Sequence, residues 1–276
     1  MRYSPHNNLD DDALFFDIET VSHEGLASDD GGAIAPSTQR PIVLGMANMT
    51  SEYVDGEPVY KLQTLASIAG SSEQLAEEFF KQIKQRRPKI VSFNGKGFDV
   101  PVLKNAALEA GIDISSYICA GRSKWESYES PYDRDWHFDC MDVIAGRSRF
   151  PKLDHIARRL KIPAKMGVDG AMVQGMYDNG EIEAIRRYCD FDVLTTVLVF
   201  LHLQRSFYGL PEKHFKASTD SVRGYLLEHA GENPHFDDYN MAWGAPSLQQ
   251  LNVESTVINL ADKLAEIEEC ETEIPF

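Results

Sequence analysis

The sequence predicts an α/β fold with a helical extension at its C-terminal end, on three observations. Five short apolar or β-branched runs, at 12–18, 41–48, 59–65, 89–93 and 136–144, have the length and composition of buried strands. Segments with helical periodicity separate or follow them, at 71–86, 98–111, 153–160 and 181–204. After Gln204 the strand pattern stops, and Pro211, Pro234 and Pro246 punctuate two further helical segments, 215–230 and 247–269. A chain of 276 residues is long enough for one large α/β domain plus such an extension.

Residues 1–9 are polar and should fray. The first strand runs through Ala13, Leu14, Phe15 and Phe16 and ends near residue 18. Residues 22–40 are rich in Gly, Ser and Asp and too polar to pack; a loop of this length suits a substrate lid or a surface insertion. The helix at 71–86 is amphipathic, with Ser71 or Ser72 as its cap. The basic run from Lys81 to Lys89 suits the helix C-terminus, where cations are favoured, and should lie at the end of the sheet away from the acids described below. Asn94-Gly95-Lys96-Gly97 turns the chain, with glycines able to take positive φ, and Pro101 suits the first turn of the helix that follows. Residues 115–135 form an aromatic, charged loop. Tyr117, Trp125, Tyr128 and Tyr132, interleaved with Arg122, Lys124 and Arg134, could stack unpaired bases or pin the loop to the domain. The helix at 181–204 repeats Ile182, Ile185, Cys189, Val193, Val197 and Phe200 at three-to-four spacing.

Three acidic motifs fall on these elements. In Phe15-Phe16-Asp17-Ile18-Glu19-Thr20, residues two apart share a strand face, so Asp17 and Glu19 project together and Ile18 opposes them. Asp99 opens a helix, where backbone N–H groups favour negative charge. Tyr188 and Asp192, four apart, sit one above the other on a helix. Singly, these residues suit an acidic strand end, a helix cap and a half-buried tyrosine beside a solvated acid. Together they supply four carboxylates and a phenol, a set able to hold two divalent cations and orient a water against a phosphodiester.

The formal net charge of −16 argues against strong non-specific binding to long duplex DNA, which depends on phosphate neutralisation. Cys119, Cys140, Cys189 and Cys270 show no C-x-x-C spacing; Cys140 and Cys189 read as buried thiols, which fits a reducing cytoplasm. There is no signal-peptide pattern and no apolar run long enough to span a bilayer, so no membrane partner is expected. Basic groups between the second and third motifs include Lys104, Arg147, Arg149, Lys152, Arg158, Arg159, Lys161 and Lys165, many of them ordinary solvated surface.

The strings Phe-Asp-Ile-Glu-Thr at 16–20, Asn-Gly-x-x-Phe-Asp at 94–99 and Tyr-Cys-x-x-Asp at 188–192 resemble those of the DEDDy class of 3′–5′ exonucleases. Within that class the likeness is to predicted exonucleases related to the proofreading domain of family B DNA polymerases. Trp125-Glu126-Ser127-Tyr128, His137-Phe138-Asp139-Cys140-Met141-Asp142 and the stretch from Leu153 to Gly170 look like the same family. The resemblance spans about residues 10–205 and stops short of the extension. It implies an RNase H-like fold: a mixed five-stranded sheet flanked by helices. It also implies an enzyme that uses two divalent cations, Mg2+ or Mn2+, to release 5′-mononucleotides from single-stranded DNA. In that scheme Asp17 bridges both metals, Glu19 and Asp192 help hold the metal carrying the nucleophilic water, and Asp99 supports the second metal. Tyr188 orients the water, with Glu19 assisting, and Thr20, Asn94 and Phe98 are candidate contacts of the substrate. Residues 1–205 form the exonuclease domain and 206–276 a helical extension with an acidic tail. The extension could cap the domain, form a dimer contact or hold a replication or repair partner. Two other readings use the same residues: an exoribonuclease or oligonucleotide nuclease, and a non-catalytic RNase H-like nucleic-acid-binding module. The module is disfavoured, because binding alone has no need of four carboxylates near phosphate.

Overall fold

The computed structural model describes residues 12–26, 34–121, 123–146, 151–163 and 170–244. Its sheet comprises β1 (Ala13–Ser22), β2 (Gln39–Val54), β3 (Glu57–Ala69), β4 (Lys89–Ser92) and β5 (His137–Asp139), in the order β3-β2-β1-β4-β5. β2 pairs antiparallel with both β1 and β3, whereas β4 pairs parallel with both β1 and β5. This is the mixed, RNase H-like sheet that the motifs imply. The helices, in chain order, are α1 (Ser72–Arg86), α2 (Asp99–Ala110), α3 (Ser115–Ile118), α4 (Cys140–Ala145), α5 (Leu153–Leu160), α6 (Val173–Asp178), α7 (Ile182–Phe207), α8 (Glu212–His229) and α9 (Pro234–Gly244). Among the described residues, no helix is long and apolar enough to cross a membrane.

β1 is the central strand, and both of its faces are covered, which is why its sequence is a continuous apolar run rather than an alternating one. Ala13 and Phe15 enter a core shared with α7 and α8; Leu14, Phe16 and Ile18 enter a second core shared with α1 and α2. In the first core, Phe200 of α7 lies edge-on to Phe15, Tyr60 and Phe138, with ring centroids 5.4, 5.6 and 5.2 Å away. In the second, α1 contributes Leu75, Phe79 and Ile83, and α2 contributes Leu103 and Ala107. Ser71 caps α1 in a reciprocal capping box with Gln74, each side chain bonding the other's backbone N–H. The basic end of α1 lies where its charge suggests: Arg86 pairs with Asp12, at the start of β1 and away from Asp17 and Glu19.

Several elements differ from the sequence reading. β2 and β3 are far longer than 41–48 and 59–65. Asp55-Gly56 joins them in a tight turn with φ of 52° and 81°, the two left-handed residues of a primed hairpin turn. β1 does not end near residue 18; β2 keeps it paired through a bulge at Glu19/Thr20 to Ser22. The fifth strand, expected over 136–144, stops at Asp139, whose carboxylate accepts the Met141 N–H at 3.0 Å and starts α4. α6 and α9 were not expected. α9 begins at Pro234, a residue suited to a first helical position but taken from sequence as punctuation. α8 starts at Glu212, three residues earlier than its apolar pattern suggests. The expected frayed start, the middle of the 22–40 loop with its lid, Arg122, Arg147, Arg149, Lys165, Cys270, the helix at 247–269 and the acidic tail lie outside the described residues.

Gly45 stands opposite Asp17 in the β1–β2 register, beneath α7. A Cβ there would lie 2.8 Å from Cys189 Sγ and 2.9 Å from both Ser67 Oγ and Val193 Cγ2. Gly45→Ala should therefore lift α7 from the sheet and destabilise the fold by about 1–3 kcal/mol, the usual range for overpacking. A urea titration with an unchanged midpoint would contradict this packing.

Candidate active site

Asp17 and Glu19 leave the face of β1 that carries Phe15, toward α7, while Ile18 packs on the opposite side. β4 accompanies β1 only as far as Phe15, opposite Val91. Beyond that point another group takes the place of the missing strand: Asp99, in the first turn of α2, accepts the Ile18 N–H through Oδ1 at 3.1 Å. Asp99 is thus buried against the strand rather than serving as a solvated cap. α7 closes the site from the other side with Tyr188, Cys189 and Asp192.

Electrostatics show how tightly these groups converge. The Asp17 carboxyl is pushed well above the usual range by burial and then by Asp99, Asp192 and Glu19, with the Cys189 thiol opposing the shift. Glu19 is raised by burial and then by Asp192 and Asp99. Asp99 is raised to about 7 by burial, against the stabilising Ile18 N–H. The Tyr188 phenol is pushed up by burial, by Asp192 and Glu19, and by its own hydrogen bond to Asp192. The structure therefore brings together all four acids and the phenol singled out in the sequence.

The candidate substrate contacts are less uniform. The Thr20 hydroxyl donates to Gln39 Oε1 at 3.2 Å. Asn94 lines a cavity of about 590 Å3 with Lys96 and Gly97. Phe98 packs partly buried against the core beneath α1 and α2. In the 94–97 turn it is Asn94, not a glycine, that takes positive φ, at 70°. The glycines are needed for space: a Cβ on Gly97 would lie 2.6 Å from Asn94 Oδ1, and one on Gly95 would collide with Ser92.

Three positioning features escaped the sequence reading. Buried Asp139 accepts the N–H groups of Asn94 at 2.9 Å and Lys96 at 3.0 Å, and so holds the turn that leads into Asp99. Its signal was present in the 137–142 stretch but not its role. Cys189, read as a buried thiol, also points at Asp17, 3.6 Å from its carbonyl oxygen and 3.9 Å from Oδ2. Asp190, between the two acidic-motif residues of α7, receives the Ser67 hydroxyl at 2.6 Å and pairs with His235 of α9 at 2.9 Å. Phe191 stacks on Tyr239 of α9, whose hydroxyl meets Thr195 at 3.1 Å. α9 thus grips the helical turn that presents Tyr188 and Asp192. No local pattern in the sequence pairs residue 190 with residue 235.

The donor set fits hard divalent cations. Ligand atoms of Asp17, Glu19 and Cys189 lie within 4.8 Å of one another. Burial and the neighbouring carboxylates push the Cys189 thiol far up, which disfavours its thiolate, while the carboxylates offer the oxygen ligands that hard cations prefer.

A family model described as "Predicted 3'-5' exonuclease related to the exonuclease domain of PolB" matches residues 35–243. The match contains Asp99, Tyr188 and Asp192, begins after Asp17 and Glu19, and continues through α8 and α9, past the limit near residue 205 drawn from the sequence. No curated protein matches the chain. Among solved structures, the family B DNA polymerase of the hyperthermophilic archaeon Pyrobaculum calidifontis is 18% identical over 80% of this chain and 29% of its own, with a TM-score of 0.47. An apo exonuclease I is 16% identical over 80% of this chain and 45% of its own, with a TM-score of 0.37. The zinc-bound E. coli exonuclease I–ssDNA complex is 16% identical over 68% of this chain and 43% of its own, with a TM-score of 0.35. This chain spans less than half the length of each.

Raised carboxyl pKa values fix the sign of a pH effect. Asp99, Asp17 and Glu19 bind protons more tightly folded than unfolded, so stability is lost as pH rises above the unfolded carboxyl range toward the folded pKa, about 7 for Asp99. Metal-free protein should therefore melt at a lower temperature at about pH 8 than at about pH 5.5, and saturating Mg2+ or Mn2+ should recover most of the difference. A Tm that stays flat or rises over this window would contradict the arrangement.

Proposed function

The chain belongs to the family of predicted 3′–5′ exonucleases related to the exonuclease domain of PolB, and we propose that it releases 5′-mononucleotides from the 3′ end of single-stranded DNA with two divalent cations. The observation that carries this reading is the convergence of Asp17, Glu19, Asp99 and Asp192 beside Tyr188. All four acids offer hard oxygen ligands, suited to Mg2+ or Mn2+. Asp17 is influenced by each of the other three, as befits a ligand shared by both cations. When bound, such a pair polarises the phosphodiester, acidifies the attacking water and stabilises the leaving 3′ oxygen.

The chain's own groups do the positioning. Tyr188 donates to Asp192, and its strongly raised pKa keeps it a neutral phenol. It does not abstract a proton; its oxygen can accept a hydrogen bond from the attacking water and so set the direction of attack. Thr20, Asn94 and Phe98 contact the terminal nucleotide in this reading, with Asn94 presented from the turn that Asp139 holds. Residues 1–205 supply the chemistry, and α8 and α9 brace α7. Two features favour a single strand. The acidic chain lacks the charge for broad duplex binding, and attack at the last phosphodiester needs the terminal nucleotide free of its partner.

Digestion of 5′-end-labelled single strands of DNA and RNA tests the proposal. Wild type with Mg2+ or Mn2+ should shorten DNA stepwise and release mononucleotides, EDTA should stop it, and Asp17→Ala should fall to background. Tyr188→Phe should slow the reaction by roughly 10²-fold or more while metal affinity persists. Near-wild-type cleavage by Asp17→Ala would remove the assigned site, and digestion of RNA alone would replace the DNA reading with that of an exoribonuclease.

A further inference from the structure

The aromatic loop between α3 and β5 divides into two halves with opposite fates. Tyr117 and Tyr128 are buried and stacked, 5.2 Å apart at 9°, and the Tyr128 hydroxyl donates to Pro88 O at 2.6 Å. They anchor the loop. Trp125 and Tyr132 are 55% and 76% exposed, with their rings 5.8 Å apart at a tilt of 32° and Lys124 Nζ 4.8 Å from the indole. Packing does not account for two large exposed rings brought together on one loop.

Their setting is rigid. Lys96 Nζ reaches back from the Asn94 turn to donate to Ser130 O at 3.2 Å and Asp133 O at 3.1 Å. The Ser130 hydroxyl accepts the N–H groups of Tyr132 and Asp133 at 3.3 and 3.1 Å, and the Trp125 N–H donates to Ser123 Oγ at 3.2 Å. The backbone that carries the rings is therefore hydrogen-bonded in place before any ligand arrives, which lowers the ordering cost of binding.

Two neighbouring cavities lie between the Asn94 turn and Trp125. The one of about 590 Å3 beside Asn94 and Gly97 is also lined by Glu129 and Pro131. The neighbouring one, of about 630 Å3, shares Glu129 and Pro131 and ends at Lys124 and Trp125. Lys104 neutralises Glu129 through contacts of 2.9 and 3.1 Å, so the shared wall carries little net charge. The second cavity ends at Trp125, with Tyr132 beside it, and so offers a ring face on which a base can stack.

We propose that Trp125 and Tyr132, flanked by Lys124, form a stacking subsite for a base of the single strand on the 5′ side of the nucleotide held at Asn94. The proposal rests on the exonuclease reading for its substrate and direction, since a strand with its 3′ end at the acids must leave the site by its 5′ part. The subsite reads the π-face that every base possesses, so it gives grip without sequence preference.

Binding without turnover separates the subsite from the chemistry. In EDTA, fluorescence anisotropy of labelled oligothymidylates of about 4 and about 12 nucleotides gives the affinity gained with length. Wild type should gain, and the Trp125→Ala/Tyr132→Ala double variant should lose about 5- to 150-fold of that gain, the range expected for one stacked base. Trp125→Phe, which keeps a ring, should retain most of it. An unchanged long-to-short affinity ratio in the double variant would overturn the subsite and leave the exonuclease reading to the digestion assay. Loss of the ratio in a protein that digests no strand would uphold the subsite while the exonuclease reading fails.

Discussion

Burying Asp17, Glu19 and Asp99 beside Asp192 opposes folding, because each charge is withdrawn from water and repelled by the others. Folded alone, the cluster lowers the repulsion by holding protons, as the raised pKa values of the first three show. Divalent cations would serve the same purpose at neutral pH, exchanging protons for a charge that can act on phosphate. The rest of the molecule is arranged around that unfavourable cluster. Two apolar cores, one on each face of β1, supply the burial that offsets it.

The cluster also needs three separate elements to meet, and each approach has its own device. β4 ends its pairing with β1 early, and Asp99 takes up the Ile18 N–H left beyond it. Gly45 lets α7 approach the sheet opposite Asp17. Ser67 and His235 fix Asp190 from two sides, so the turn of α7 with Tyr188 and Asp192 is held by β3 and by α9. The family match running through α9 agrees with this integration of the extension into the catalytic body.

Much of this was legible in the sequence where a local pattern carried it. The two-residue repeat of Asp17 and Glu19, the four-residue spacing of Tyr188 and Asp192, and the position of Asp99 at a helix start each foretold a face or an end, and the structure assembles them. Regular elements with strong periodicity, such as α1, α5 and α7, matched closely. The long β2–β3 hairpin was missed although Asp55-Gly56 is a hairpin signal, because polar residues of its half-exposed outer part masked the strands. The fifth strand is shorter than its sequence suggests because Cys140, Met141, Val143 and Ile144 suit a buried strand as well as a buried helix; the Asp139 cap decides. Asp139, Gly45 and His235 stayed hidden for a different reason. Their roles come from partners 22 to 148 positions away, through contacts that no sequence window displays.

The central claim is that the four carboxylates form a cation site, and the most direct test counts cations on the protein without any substrate. Titrating Mn2+ into metal-free wild type and following the free-ion electron paramagnetic resonance signal should reveal saturable uptake approaching two ions per chain, with Asp17→Asn losing most of it. Wild type that leaves all added Mn2+ free, or Asp17→Asn that binds as wild type does, would contradict the account.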